Sequence, residues 1–422
     1  MIFDVFFSIC QTPVDGFLPS EKQMFSYFFE QVQAADELGY EVAWVAESHL
    51  SCEVQKHNSG AVIPNFVGEI GLNTDILQLA PHIFSRTKNI EVGAAIKSLL
   101  CNGGPLAHAE AIKTFLSLHS FSPAAERKLH LGVAAGRFPF SSAPYGIVPR
   151  NEAEKIAWPA LKGKIFAESL EIFLRFLKGE VFSSNDVTPV ELTRADMRSE
   201  EEWTKLQIAS GDPQASRILF TQRWLFARTG VIPKDVSFDA LRLYVGSHDA
   251  KIQDFANTLL PCGVMNLSIT PGEEIERTHA RMPSTFHPDG GPWSRSLMPR
   301  TVLVFLDATP GLSSTQQTAR AHEKARKALN TYWRALEGTL DPTRIENAVN
   351  NAIVGNPTDC TSQLRERFHP EDRLLLWFDF FNHNCNEVIQ SMQDFQRFVA
   401  PNVNEGIAPS SSPSVITETR KS

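Results

Sequence analysis

The sequence predicts a parallel α/β fold closed into a (β/α)8 TIM barrel, and three observations carry that expectation. Strand-like and helix-like patterns alternate through the first half of the chain and again toward its end. The strand-like runs are continuously apolar, VAWVA at 42–46 being the clearest, as suits strands covered on both faces. The 422 residues are enough for one α/β barrel of about 250 residues carrying long insertions.

The elements follow in order. Residues 2–8 are apolar and β-prone, and 21–38 carry helical periodicity through Met24, Phe28, Val32, Ala35 and Leu38, with Gly39 as the stop. Residues 65–82 read as a second helix, 90–96 as a strand, and 107–118 as a helix after the turn CNGGP. Then come a strand at 129–134, a long amphipathic helix at 158–177, a strand at 241–245 and a helix at 250–259. The pattern continues through 301–307, 319–336 and 374–380 and closes with a helix at 387–398.

Two stretches break the alternation: 182–239, with its acidic patch RADMRSEEEW, and 275–299, rich in Pro, Gly, His and Arg. They are expected to be excursions over the C-terminal face of the barrel, where lids and binding loops lie. The expected organisation is one domain over 1–405 and a tail, 406–422, of disordered composition.

A 42% hydrophobic, 21% charged chain can bury a large core. Its net charge of −8, without a dense basic stripe, argues against nucleic acid or an anionic membrane as partner. The six cysteines have no CxxC pair, which predicts reduced thiols in a cytoplasmic protein. The histidines show no HExxH or paired ligand spacing, so no metal site is expected. P-loop, GxGxxG and GxSxG motifs are all missing.

The run AADELGYEVAWVAESHL (34–50) resembles the first helix–turn–strand of the bacterial luciferase-like flavin monooxygenases. In the same order follow VGAAI (92–96), GGPLAHAEAIKTFLSL (103–118), LHLGVAAGR (129–137), RLYVGSHDAKIQDFA (242–256), VGNPTD (354–359) and VIQSMQDFQRFVAP (388–401). The resemblance implies a (β/α)8 barrel with a flavin ring at the C-terminal strand ends, and commonly a dimer through the early helices. Some relatives use a deazaflavin instead.

Glu47 and His49 follow directly from a buried strand, which in a barrel places them on the catalytic face. A carboxylate and an imidazole there can handle protons, although a purely structural hydrogen bond at the strand end would use the same pair. Luciferases have two consecutive histidines after the acid, and Ser48 stands at the first of those positions. Ala134 stands where they carry a reactive thiol. The resemblance further implies a non-prolyl cis peptide under the flavin ring near Ala94–Ala95, where small side chains let backbone approach a planar ring.

Ser247 and His248 end a strand, and Lys251 lies in the first turn of the next helix, an arrangement suited to a flavin phosphate or to nothing more than an N-cap. Arg137 could add a charge to it. The function implied is a two-component monooxygenase that takes reduced FMN from a separate NAD(P)H:flavin reductase and uses O2 to oxygenate an apolar organic substrate. A deazaflavin-dependent oxidoreductase and a non-catalytic flavin-binding subunit are the alternatives. A homodimer is the expected assembly.

Overall fold

The computed structural model describes residues 1–58, 63–335 and 350–404. The predicted tail therefore lies outside the described residues.

Eight parallel strands form the barrel: β1 (Ile2–Phe7), β2 (Val42–Val45), β3 (Glu91–Ser98), β4 (Leu129–Ala134), β7 (Leu241–Val245), β8 (Cys262–Val264), β9 (Arg300–Leu306) and β11 (Arg373–Trp377). The ladder runs β9-β11-β1-β2-β3-β4-β7-β8, and a parallel bridge from Asn266 to Arg300 joins β8 to β9 and closes the ring. A short strand, β10 (Ile353–Gly355), pairs outside the ring with the upper part of β9.

Side chains alternate between an outer layer under the helices and the barrel interior. Val5, Phe7, Ala43, Val45, Leu131, Val133, Leu243 and Leu376 join the large outer core. Inside, Phe6, Val42, Trp44, Tyr244, Met265 and Leu375 pack as a central plug. Trp44 spreads across the interior at Gly93, where a Cβ would come within 2.4 Å of the indole. Below this plug, Trp44 Nε1 donates to Asp4 at 2.7 Å and Arg373 grips the same carboxylate at 2.9 and 3.0 Å.

One step further up the strands the inward residues shrink to Ser8, Ala46, Ala95, Ala134 and Gly246. A layer of small side chains above a filled plug leaves space, and that space becomes the floor of a cavity.

The first helix, α1 (Glu21–Glu37), opens on a Ser20–Gln23 capping box. Residues 65–82 are not one helix. A short helix, α2 (Cys52–Gln55), precedes them, and only α3 (Ile76–Phe84) is regular, capped by Asp75. Before it, Gly68 at φ +85° and the bridge between Gln11 and Glu69 hold an irregular loop. α4 spans Gly104–His119. α5 (Pro139–Ser142) is a single turn after β4. α6 (Glu152–Leu177) starts six residues before the predicted boundary, because Asn151 caps it and Pro159 lies inside it.

The segment 182–239 is not irregular throughout. It holds an antiparallel pair, β5 (Val190–Thr193) with β6 (Arg217–Phe220), and a helix, α7 (Glu200–Ser210). Leu192, Trp203, Leu206 and Ile218 pack on Ala153, Ala157, Leu161 and Ile165, along the half of α6 nearest the C-terminal strand ends. Glu168 fixes the return by accepting Arg223 N at 2.9 Å, and Trp224 stacks its Nε1 side over Gly104.

After β7, α8 (Ala250–Leu259) and the three-residue β8 lead to α9 (Gly272–Arg281). Here the expected path is corrected. From α9 the chain runs to the opposite, N-terminal face, where Arg295 pairs with Asp372 just before β11 and Leu297 lies over Gly263. It has to, because the next strand, β9, must enter the parallel sheet from that end. α10 (Ser314–Ala335), α11 (Pro357–Arg367) and α12 (Cys385–Asp394) complete the helical ring. Met1 and Asn404 meet at 2.7 Å. No helix among the described residues is long and apolar enough to cross a membrane.

Candidate functional site

The small upper layer opens into a cavity of about 410 Å³ at the C-terminal end of the barrel. Its wall comes from the loops after β1, β2, β4 and β11, from the 63–75 loop, and from Tyr332 on α10. Neither 182–239 nor 275–299 contributes a lining residue. The excursions expected over the C-terminal face therefore do not line this cavity.

Backbone strain gathers around this rim. Ile9, Asp15, Leu50, Asn102 and Phe381 have positive φ, between 46° and 62°, and each lies in a loop after β1, β2, β3 or β11. Such conformations cost about 1–3 kcal/mol each for a residue with a side chain, and they persist where surrounding packing dictates them.

The polar centre of the floor is Glu47, whose side chain has no solvent exposure. Lys97 Nζ lies 3.1 and 3.2 Å from its two carboxylate oxygens, His49 Nε2 donates to Oε1 at 3.0 Å, and Ile76 N donates to Oε2 at 3.2 Å. Asp75 stands 3.7 Å from Lys97. β3 places Lys97 by gaining a residue: its pairing with β4 shifts between Ala94 and Lys97, which brings a lysine from an apolar strand to a buried carboxylate.

Burial alone would raise Glu47, but the Lys97 ammonium and the His49 imidazole hold it below its ordinary range. Burial would likewise lower His49, yet hydrogen bonds to Cys101 and Glu47 push it up to about 9. The imidazole is thus charged at neutral pH. Its contribution to stability is fully present below the unfolded value of 6.5 and is lost as pH rises through about 9. Glu47 contributes above 4.5 and loses that contribution as pH falls through its depressed value. Urea midpoints measured from pH 6 to 10 should decline for this protein and lie flatter for His49→Ala. Parallel curves would mean that the pair is not coupled to folding.

The other sequence candidates lie around this centre. Ala95 lines the cavity, whereas Ala94 turns outward into the helix-facing core. The cis peptide is Ala95–Ile96, one residue beyond the expected position. Arg137 stands exposed at the mouth, with Nη1 2.9 Å from Tyr332 Oη. Gly246 reaches the floor, but Ser247, His248 and Lys251 lie outside the cavity lining. His248 meets Thr270 Oγ1 at 3.3 Å. The start of α8 is capped by Asp249, which accepts Lys251 N at 2.9 Å, so an anion there would share the helix end with a carboxylate.

The sequence reading missed Lys97, Cys101 and the aromatic wall formed by Phe66, Phe138, Phe140, Tyr332, Trp377, Phe380 and Phe381. A signal existed for Lys97, since a lysine immediately after VGAAI is out of place in a buried strand. The run FDFF after the last strand was another.

The family described as luciferase-like monooxygenase matches residues 4–222, more than half of the chain. No curated protein matches it. Among solved structures, the chain is similar to the monooxygenase RslO1 from Streptomyces bottropensis, with 15% identity, 95% and 99% of the two chains covered and a TM-score of 0.62. It is similar to the oxygenating constituent of 3,6-diketocamphane monooxygenase from the CAM plasmid of Pseudomonas putida, in complex with FMN, at 16% identity, 95% and 98% coverage and a TM-score of 0.55. An F420-dependent secondary alcohol dehydrogenase matches at 12% identity, 95% and 98% coverage and a TM-score of 0.53.

Proposed function

Since the chain belongs to the luciferase-like monooxygenase family, we propose that it is a two-component flavin-dependent monooxygenase, taking reduced FMN from a separate NAD(P)H:flavin reductase and using O2 to oxygenate an apolar organic substrate. The observation that carries this reading is the apolar cavity itself, with one buried proton-bearing cluster, Glu47–His49–Lys97, in its floor. Its 410 Å³ lies within the roughly 300–1,000 Å³ of small-molecule sites.

The residues present fit a flavin. Ala46, Ala95, Ala134 and Gly246 form a floor of small groups against which a planar ring can lie, with Ser8 and Ser98 as hydroxyls at its edge. When bound, the reduced flavin supplies the electrons that activate O2. The chain's own part is different. The aromatic wall excludes water, and His49 keeps a proton at the cavity floor at neutral pH, with Glu47 orienting the ring. Ser247, His248 and Lys251 are the candidates for the flavin phosphate.

The test is anaerobic binding of reduced FMN, reduced riboflavin and a reduced deazaflavin, side by side. Tighter binding of FMN than of the deazaflavin is expected, and the reverse preference would assign hydride-transfer chemistry instead, as the dehydrogenase neighbour suggests. Lys251→Ala should weaken FMN alone, by about 1 kcal/mol, the low end for a charge-assisted contact on an exposed side chain. Equal affinities for FMN and riboflavin in the unaltered protein would remove the phosphate site.

Two further parts of the reading concern context. The six free cysteines support a reducing, cytoplasmic setting. A broad groove between α3 and α4, with Leu118 67% and Phe121 87% exposed close by, supports a homodimer through the early helices.

A further inference from the structure

We propose that the apolar body of the substrate is a compact aromatic ring and that it carries one anionic oxygen group, a carboxylate or a phenolate, the ring held by the aromatic wall and the charge by Arg137 together with Tyr332. The proposal rests on the reading of this cavity as the substrate site.

The wall argues for a ring. Phe138 and Phe140 stack at 5.6 Å, Trp377 meets Phe380 edge-on at 4.8 Å, and Tyr332 meets Phe380 edge-on at 5.4 Å. Each ring is braced by another, so faces and edges are preformed before anything binds, which favours a planar guest over a flexible chain. Size points the same way. About 410 Å³ must hold the tricyclic ring of a flavin as well as the substrate, and that leaves little length for an extended alkyl chain.

The charge argument comes from what the mouth leaves uncommitted. In the floor, the two carboxylates Glu47 and Asp75 match the two cations Lys97 and His49. At the mouth, Arg137 has no carboxylate partner among the described residues. Its polar contact is the neutral hydroxyl of Tyr332, reached across the barrel from the β4 loop to α10. Because Tyr332 Oη accepts from Arg137, its own proton remains free to donate. The remaining guanidinium N–H groups and that hydroxyl together form a donor set for an anionic oxygen. The guanidinium also lies 5.4 Å from the Phe138 ring, so the anion would be bound next to an aromatic face.

The experiment is calorimetric titration of the flavin-free protein with 2-naphthoate, 2-naphthamide and decanoate. Naphthoate should bind about tenfold more tightly than naphthamide, the scale of one charge-assisted hydrogen bond, and more tightly than decanoate. Arg137→Gln should erase the preference for naphthoate while leaving naphthamide binding unchanged, and Tyr332→Phe should reduce it in part. Equal affinity for naphthoate and naphthamide, tighter binding of decanoate, or no binding of naphthoate would overturn the proposal. So would an Arg137→Gln protein that keeps its naphthoate affinity but no longer prefers reduced FMN to riboflavin, since the guanidinium would then serve the cofactor. Because the titrations contain no flavin, their outcome is independent of which flavin the protein uses.

Discussion

Replacing Glu47 with glutamine is expected to lower the free energy of unfolding by about 3–5 kcal/mol, the cost of leaving buried charge without its partner. The carboxylate sits between Lys97 at 3.1 Å and His49 at 3.0 Å, and only Asp75, 3.7 Å from the ammonium, would remain to offset them. Urea denaturation of Glu47→Gln, of Lys97→Met and of the double variant measures this. The double variant should recover much of the loss, because removing both charges removes the unpaired one. A loss under about 1 kcal/mol in Glu47→Gln would place the cluster in the class of solvent-screened pairs, against its burial.

His49→Ala is expected to lower product formation by about 10²–10⁴-fold, the usual reach of a positioned acid or base, while reduced flavin still binds. Oxygen consumption should continue and hydrogen peroxide should accumulate in place of product. The imidazole lies on the cavity wall and is charged at neutral pH, with a value of about 9. Oxygen uptake, peroxide release and product are measured together, with an added NAD(P)H:flavin reductase and a substrate found by screening. If coupling is unchanged in His49→Ala but abolished in Glu47→Gln, the imidazole is structural and the carboxylate carries the step. Unchanged coupling in both would move the search to Ser8, Ser48, Ser98, Ser141 and Tyr332, the hydroxyls that line the cavity.

The barrel was legible because burying a parallel sheet on both faces forces continuous apolar strands, and VAWVA and LHLGVA are such runs. β8 was not, since three residues carry too little periodicity to separate from a turn. The 65–75 stretch was misread as helix because its apolar residues have helical spacing. Phe66 and Ile70 in fact line the cavity, and Gly68 breaks the path. Glu47 and His49 could be placed from strand-end position alone. Lys97 could not be assigned to them, because its approach depends on the bulge in β3, and register is a tertiary property. The wall residues Phe138, Tyr332 and Phe381 come from distant parts of the chain, and nothing local in sequence brings them together.

The 182–239 excursion packs on α6 and α4 and sends Phe182, Val187 and Val231 into the main core, and no residue of it lines the cavity. Substitutions on its solvent-facing surface are consequently expected to be screened for how well the segment seats on the helices beneath it, and not by contact with the cavity. A lineage could remodel that flank, gaining or discarding a neighbour, while its chemistry stays constant. The loops bearing Phe66, Phe138 and Phe381 have no such latitude, because each of their aromatic rings both packs against another element and shapes the space in which the reaction occurs.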